Sequence, residues 1–257
     1  YAATFDIPVF IEPTDQWLSQ QGCAHQGKIA SRLGLKGIPV SAETIAIAQA
    51  LELIAETGVR AHIGRISSAR AVEMIARAKN EHLPVTTDVS AHQLHLTEHD
   101  ISNFNSDCHV IPPLRTQRDM EALRRAVADG TIDAISSDHQ PHDFDAKQSP
   151  FAGSEPGISA LETYLPLCMR LQDLTGIRLA ELITRMSTTP ASILGIEAGT
   201  LSVGAMADIC IYSDDDDWQL NQDNMVSQGR NTPFHGWNFN HKVHQTLVRG
   251  KNSYRFK

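Results

Sequence analysis

Residues 134–142 read Ala-Ile-Ser-Ser-Asp-His-Gln-Pro-His, an apolar run that breaks into one carboxylate, Asp138, and two imidazoles, His139 and His142. A carboxylate among imidazoles can accept a proton, ligate a metal or anchor a polar substrate. The place in the chain matters as much as the composition. Residues 132–137 predict a buried strand, and in parallel α/β folds reactive groups gather where strands end and loops converge. The competing reading is a polar loop capped by Asp138, and spacing alone leaves both open.

Such a strand needs a frame to hold it. Short apolar runs at residues 6–11, 59–66, 83–89 and 132–137 predict four strands. Helical spacing predicts a helix over 41–57 stopped by Gly58 and a second over 69–80 capped by Ser68 or a neighbour. A third runs from the Thr116/Asp119 capping box to Gly130. Strand and helix alternate, which argues for a parallel sheet with crossover helices. Residues 12–40 read as a glycine-containing loop. Further helices are expected over 158–171 and 179–186, and Thr189-Pro190 starts a short one that Gly195 ends. Beyond residue 200 the pattern turns β-like, at 207–212 and 244–249, with Gly250-Lys251 as a turn and Trp218 and Trp237 as anchors of a small core. The acidic run 214–217 reads as a solvated loop. Four βα units are half of what an eight-stranded barrel requires in about 250 residues. Residues 1–6 read as the last turns of a helix whose start is missing, so the chain is expected to be a piece of something longer.

The 257 residues carry 22 Lys and Arg against 30 Asp and Glu, a formal charge of −8. That balance disfavours nucleic-acid backbones and anionic lipid surfaces as partners. No apolar stretch approaches the roughly 20 residues of a membrane span. Cys23, Cys108, Cys168 and Cys210 are scattered with no C-x-x-C pair, which reads as reduced thiols and makes the cytoplasm the expected compartment.

Residues 136–142 resemble the T-D-H-A-P-H segment of dihydroorotases in the cyclic amidohydrolase superfamily, and further matches follow in order. They are Ile111-Pro-Pro-Leu-Arg115, Asp129-Gly-Thr-Ile-Asp133, Glu155-Pro-Gly-Ile158 with Leu161-Glu-Thr163, Pro190-Ala-Ser-Ile-Leu-Gly195, Gly204-Ala-Met-Ala-Asp208 and Asn231-Thr-Pro-Phe234. The resemblance covers essentially the whole chain. It implies an α/β fold: residues 1–200 as the C-terminal half of a (β/α)8 TIM-type barrel, and 201–257 as part of a flanking β-sandwich. The barrel's first half is expected to precede Tyr1. It also implies hydrolysis of a dihydroorotate ring amide by zinc-activated water. Asp138 would ligate metal and shuttle the proton, and His142 with the backbone at Pro156 and Gly157 would hold the substrate.

The departures from that pattern fall on the metal. Glu12 stands where relatives carry a histidine ligand, and His62-Ile-Gly-Arg65 replaces H-I-x-H, so Arg65 takes the second ligand position. Ile111 replaces the substrate-binding asparagine, and H-x-H occurs nowhere in the chain. A guanidinium stays protonated and has no lone pair to donate. Arg65 is therefore expected to replace the metal's charge and to hold Glu12 and Asp138 by charge-assisted hydrogen bonds. The competing reading leaves Arg65 in solvent and Glu12 as an ordinary surface residue. His92 and His95 are expected to pack or hydrogen-bond rather than ligate.

The resemblance is nearest to inactive dihydroorotase homologues that accompany bacterial aspartate carbamoyltransferases. It implies a degenerate subunit of pyrimidine biosynthesis, with no metal or cofactor of its own. The expected partners are carbamoyltransferase catalytic chains and further copies of itself. The alternative is a working dihydroorotase or related cyclic amidohydrolase, with zinc as its cofactor.

Overall fold

Four short strands, β1 (Val9–Ile11), β2 (Ala61–Ile63), β3 (Val85–Ser90) and β4 (Ala134–Ser136), form one parallel sheet in the order β1-β2-β3-β4 in a computed structural model that describes residues 1–256. Sequential parallel neighbours need a crossover each, and three helices supply them: α1 (Val40–Thr57), α2 (Ala69–Asn80) and α3 (Gln117–Asp129). Local chemistry sets their limits. The Ser68 hydroxyl accepts from Ala71 N at the start of α2, and Thr116 with Asp119 forms a reciprocal capping box at the start of α3. Gly58 and Gly130 end α1 and α3 in the left-handed conformation that glycine adopts without a Cβ clash.

The helices bury one face on the sheet. Ile47 and Ile54 of α1, Ile75 of α2 and Leu123 of α3 pack with Ile63, Ile66, Val89 and Ile132, all almost fully buried. Each such side chain contributes about 1.5–3 kcal/mol when removed from water. Register then aligns the strand ends: Ile11 lies opposite Ile63, Ile63 opposite Thr87, and Ser90 opposite Ser136. Residues just past those positions meet at one edge of the sheet. Among the described residues β1 and β4 each keep one unpaired side, so the sheet is an arc rather than a closed barrel.

Several elements differ from the sequence expectation. The strand expected at 59–66 is only Ala61–Ile63, because Gly64 and Arg65 turn away and Arg65 adopts φ 52°. The strand expected at 132–137 starts at Ala134: the Asp133 N–H still donates to the Thr87 carbonyl at 3.0 Å, but the Thr87 N–H turns from backbone pairing to the Asp133 carboxylate at 2.8 Å, which Lys79 Nζ also reaches at 2.6 Å. The helix expected over 158–171 begins only at Leu161 and ends at Met169 (α4), because Ile158 pairs with His139 as an isolated parallel bridge. Residues 12–40 are not a plain loop. They hold the helices Gln16–Ser19 and Lys28–Leu33 and a parallel pairing of Ala24–His25 with Gly37–Ile38. The helix Leu179–Ile183 runs through a π turn at Thr184–Thr188 into Thr189–Leu194, which Gly195 ends.

The last part of the chain is β-rich. Strands β5 (Ile209–Ser213), β6 (Lys242–Val248) and β7 (Lys251–Arg255) form an antiparallel sheet in the order β7-β6-β5. Trp218 lies tilted against Phe239 and Trp237 meets Phe234 edge-on, with ring centroids 5.2 and 5.0 Å apart. Leu220, Phe234 and Phe239 share a second core with Cys23, Ile29, Val110, Phe151 and Ile158, so the stretch 218–239 is packed into the body of the fold. Asp216, in the acidic run, pairs with His244. Among the described residues no helix is long and apolar enough to cross a membrane.

Candidate functional site

Asp138 lies two residues past β4 and Arg65 two residues past β2, and both sit in the left-handed region, at φ 47° and 52°. Neither is glycine, and the conformation costs an L-residue about 1–2 kcal/mol. Specific contacts hold each in place. The Arg65 N–H donates to Asp88 Oδ1 at 3.2 Å, and Gly64 permits the approach, since a Cβ there would come within 3.2 Å of Asp88 Oδ2. Turned this way, the Arg65 side chain reaches across the strand ends. Nη2 pairs with Glu12 Oε1, Nη1 donates to Asp138 Oδ1 at 3.1 Å, and Nη1 also lies 3.3 Å from the Ile111 carbonyl. Burial works against its charge, but Asp138 and Glu12 outweigh that and raise the guanidinium above its ordinary pKa.

The Asp138 side chain is 8% exposed and the Glu12 side chain 51%. The two arms are therefore unequal: the Asp138 contact is shielded and strong, while the Glu12 contact is open to water and salt. Asp138 Oδ1 also accepts from Gln140 Nε2 at 2.8 Å, and Oδ2 from Ser90 Oγ at 3.2 Å. Its acceptor sites are largely taken before any ligand arrives.

Asp88 is a second hub, and the sequence reading passed over it. It accepts from the Arg65 N–H and from Ser136 Oγ at 2.8 Å, and pairs with His62 Nε2 at 2.8 Å. His62 Nδ1 lies 2.9 Å from Thr86 Oγ1. The signal was available, since Asp88 is a carboxylate at the C-terminal end of a predicted parallel strand, where Asp138 drew notice. Together Glu12, His62, Arg65, Asp88, Ser136 and Asp138 border an open pocket of about 450 Å³.

His142, Pro156 and Gly157 occupy an adjoining loop, and their polar atoms are engaged with one another and their neighbours. His142 Nε2 donates to the Pro156 carbonyl at 2.9 Å, and its backbone N–H to Asn231 Oδ1 at 2.8 Å. The Gly157 N–H donates to the His109 carbonyl at 2.8 Å, and its carbonyl accepts from Asn231 Nδ2 at 3.0 Å. Gly157 has φ 136°, and a Cβ there would lie 2.5 Å from that of Gln140, so only glycine fits. His95 Nε2 donates to the Leu167 carbonyl at 2.8 Å. His92 is 1% exposed with no partner on either ring nitrogen. Burial pushes its pKa down to about 4, with Asp138 opposing and Arg65 assisting.

The donor set of this chain does not fit a divalent cation. Among the described residues no three His, Cys, Asp or Glu side chains converge as a ligand cluster. Between the two carboxylates that could ligate lies a guanidinium, which offers no lone pair and repels a second cation.

Residues 26–252 match the model of the amidohydrolase family. A dihydroorotase-like protein of Pseudomonas aeruginosa is 47% identical over 250 residues, covering 97% of this chain and 59% of that protein. A dihydroorotase of Syntrophus aciditrophicus is 42% identical over 255 residues, covering 99% of this chain and 60% of that protein. The L-hydantoinase (dihydropyrimidinase) from Arthrobacter aurescens superposes with a TM-score of 0.87 at 27% identity, over 98% of this chain and 58% of its own. This chain thus spans about three fifths of the length of these relatives. On sequence and fold together it belongs to the amidohydrolase family, as a dihydroorotase-like member built on part of a TIM-type barrel.

Proposed function

We propose that this chain is part of a dihydroorotase-like subunit of pyrimidine biosynthesis that does not hydrolyse dihydroorotate and instead serves assembly of aspartate carbamoyltransferase. The observation that carries the reading is the Arg65 guanidinium between Glu12 and Asp138. Ring-amide hydrolysis needs a water made nucleophilic by a cation and relieved of its proton by a free carboxylate. Here the cation is a saturated guanidinium, and Asp138 already accepts from Arg65, Gln140 and Ser90. The four free cysteines support a reducing compartment, the cytoplasm.

The alternative is a working zinc dihydroorotase, which retention of Asp138 and His142 favours, as does the name of the Syntrophus relative. A dihydroorotate hydrolysis assay with and without added zinc separates the two. Loss of metal-type stabilisation of the transition state predicts turnover at least about a thousandfold below that of a zinc enzyme. Zinc-dependent turnover above that level would establish the alternative. Co-purification with aspartate carbamoyltransferase catalytic chains is expected for the assembly role, and their failure to associate would remove it.

A further inference from the structure

We infer that the Arg65 guanidinium is a structural clamp for the strand ends, and that cutting the side chain away leaves a site shaped for a free guanidinium ion. The acceptors come from separate segments: Glu12 follows β1, Asp138 follows β4, and the Ile111 carbonyl lies in the loop between β3 and α3. The Arg65 N–H adds Asp88 at the end of β3, itself held by His62 and Ser136. One side chain thereby ties together parts of the sheet that have no backbone pairing with each other. The fork is planar and its two Nη atoms face different carboxylates, an arrangement that a compact ammonium cannot reproduce. With the guanidinium gone, Glu12 and Asp138 would face one another as like charges, Asp138 almost entirely out of water.

The left-handed backbone at Arg65 makes glycine the informative truncation. Arg65→Gly suits φ 52°, and the strain it relieves roughly offsets the entropy glycine adds to the unfolded chain, so the net stability it loses is dominated by the missing side chain. The inference rests on the same contact as the non-catalytic reading, but it is read by stability and ion response. Its failure therefore leaves the outcome of the hydrolysis assay untouched.

The test is thermal unfolding of the protein and of Arg65→Gly, each with EDTA, guanidinium chloride, ammonium chloride or zinc chloride, at roughly 20 mM for the two monovalent salts, far below the molar range that denatures. The wild type is expected to be indifferent to EDTA. Arg65→Gly is expected to melt roughly 4–8 °C lower and to recover at least half of that in guanidinium but not in ammonium. Arg65→Lys, which keeps a charge without the fork, should also melt lower and gain nothing from guanidinium. It carries the test should the glycine variant fail to fold. Wild-type melting that falls with EDTA, variants as stable as the wild type, or equal rescue by ammonium and guanidinium would each overturn the clamp.

Discussion

Lowering the pH from 6.5 towards 4 is expected to unfold the protein, because three buried histidines and one partly buried one are held in their neutral form. Burial is the leading cause in each case and takes His25, His92 and His109 down to about 4 and His95 to about 3. Neighbouring cations add to it, with Arg115 beside His25, Lys147 beside His109 and Arg124 beside His95. The hydrogen bonds agree with neutral rings. His25 Nδ1 accepts from Arg115 Nη1 at 3.1 Å, which requires a lone pair, and His95 uses its single N–H on a carbonyl.

The sign follows from linkage. Between pH 6.5 and about 4 the unfolded chain binds protons on these rings that the folded chain refuses, so stability is full above pH 6.5 and falls as pH drops. One pKa unit corresponds to about 1.4 kcal/mol, which makes each ring worth about 3 kcal/mol at most across that window. A domain stable by about 5–15 kcal/mol cannot absorb several such losses. Urea unfolding at pH 7, 6 and 5 should show midpoints falling steeply. His92→Leu, which removes a ring with no hydrogen bonds to lose, should flatten the slope at little cost at pH 7. Midpoints that stay level between pH 6.5 and 4.5 would show that these rings do not titrate as described.

Arg115→Ala is expected to destabilise the protein by about 3–5 kcal/mol, the range for removing one partner from a buried charge network. Arg115 is 2% exposed. Its Nε donates to Ser67 Oγ at 3.1 Å, and Nη1 donates to the Ile38 carbonyl at 2.8 Å as well as to His25. Its charge sits near two buried carboxylates, Glu43 and Asp119. Glu43 accepts from the Ser67 N–H at 2.5 Å, from Ser67 Oγ at 2.9 Å and from Ser68 Oγ. Removing the guanidinium leaves that carboxylate without its cation, the Ile38 carbonyl without this donor, and a cavity. Arg115→Lys should recover only part of the loss, because one ammonium cannot span the same acceptors. Pairing Arg115→Ala with Glu43→Gln should cost less than the sum of the two single changes. A loss below about 1 kcal/mol for Arg115→Ala in chemical denaturation would mean that the network is not integral to the fold.

The frame was legible in the sequence because its signals are local. Ser68, Thr116 with Asp119, Gly58 and Gly130 mark helix ends by chemistry confined to one turn, and the four apolar runs mark strands. What escaped depends on long-range contacts. The strand at 59–66 shortens because Asp88, some two dozen residues away, draws the Arg65 N–H out of the ladder. The helix at 158–171 starts late because Ile158 bridges to His139. The small elements inside residues 12–40 are two to six residues long, too short for periodicity to register. At the site, Asp138 stood out by its place at a strand end, whereas Glu12 and Arg65 were legible only as departures from the dihydroorotase pattern at its ligand positions. The supporting roles of Asp88, Ser90, Ser136 and Asn231 arise from side-chain directions set by the fold.

Crystals grown with zinc, with data collected on both sides of the zinc absorption edge, put arginine and metal in direct competition for one place. The expected result is guanidinium density between Glu12 and Asp138 and no anomalous peak within about 4 Å of the Asp138 carboxylate. An anomalous peak at roughly 2.0–2.2 Å from Asp138, with Arg65 swung aside, would show that this chain binds a catalytic-type metal after all.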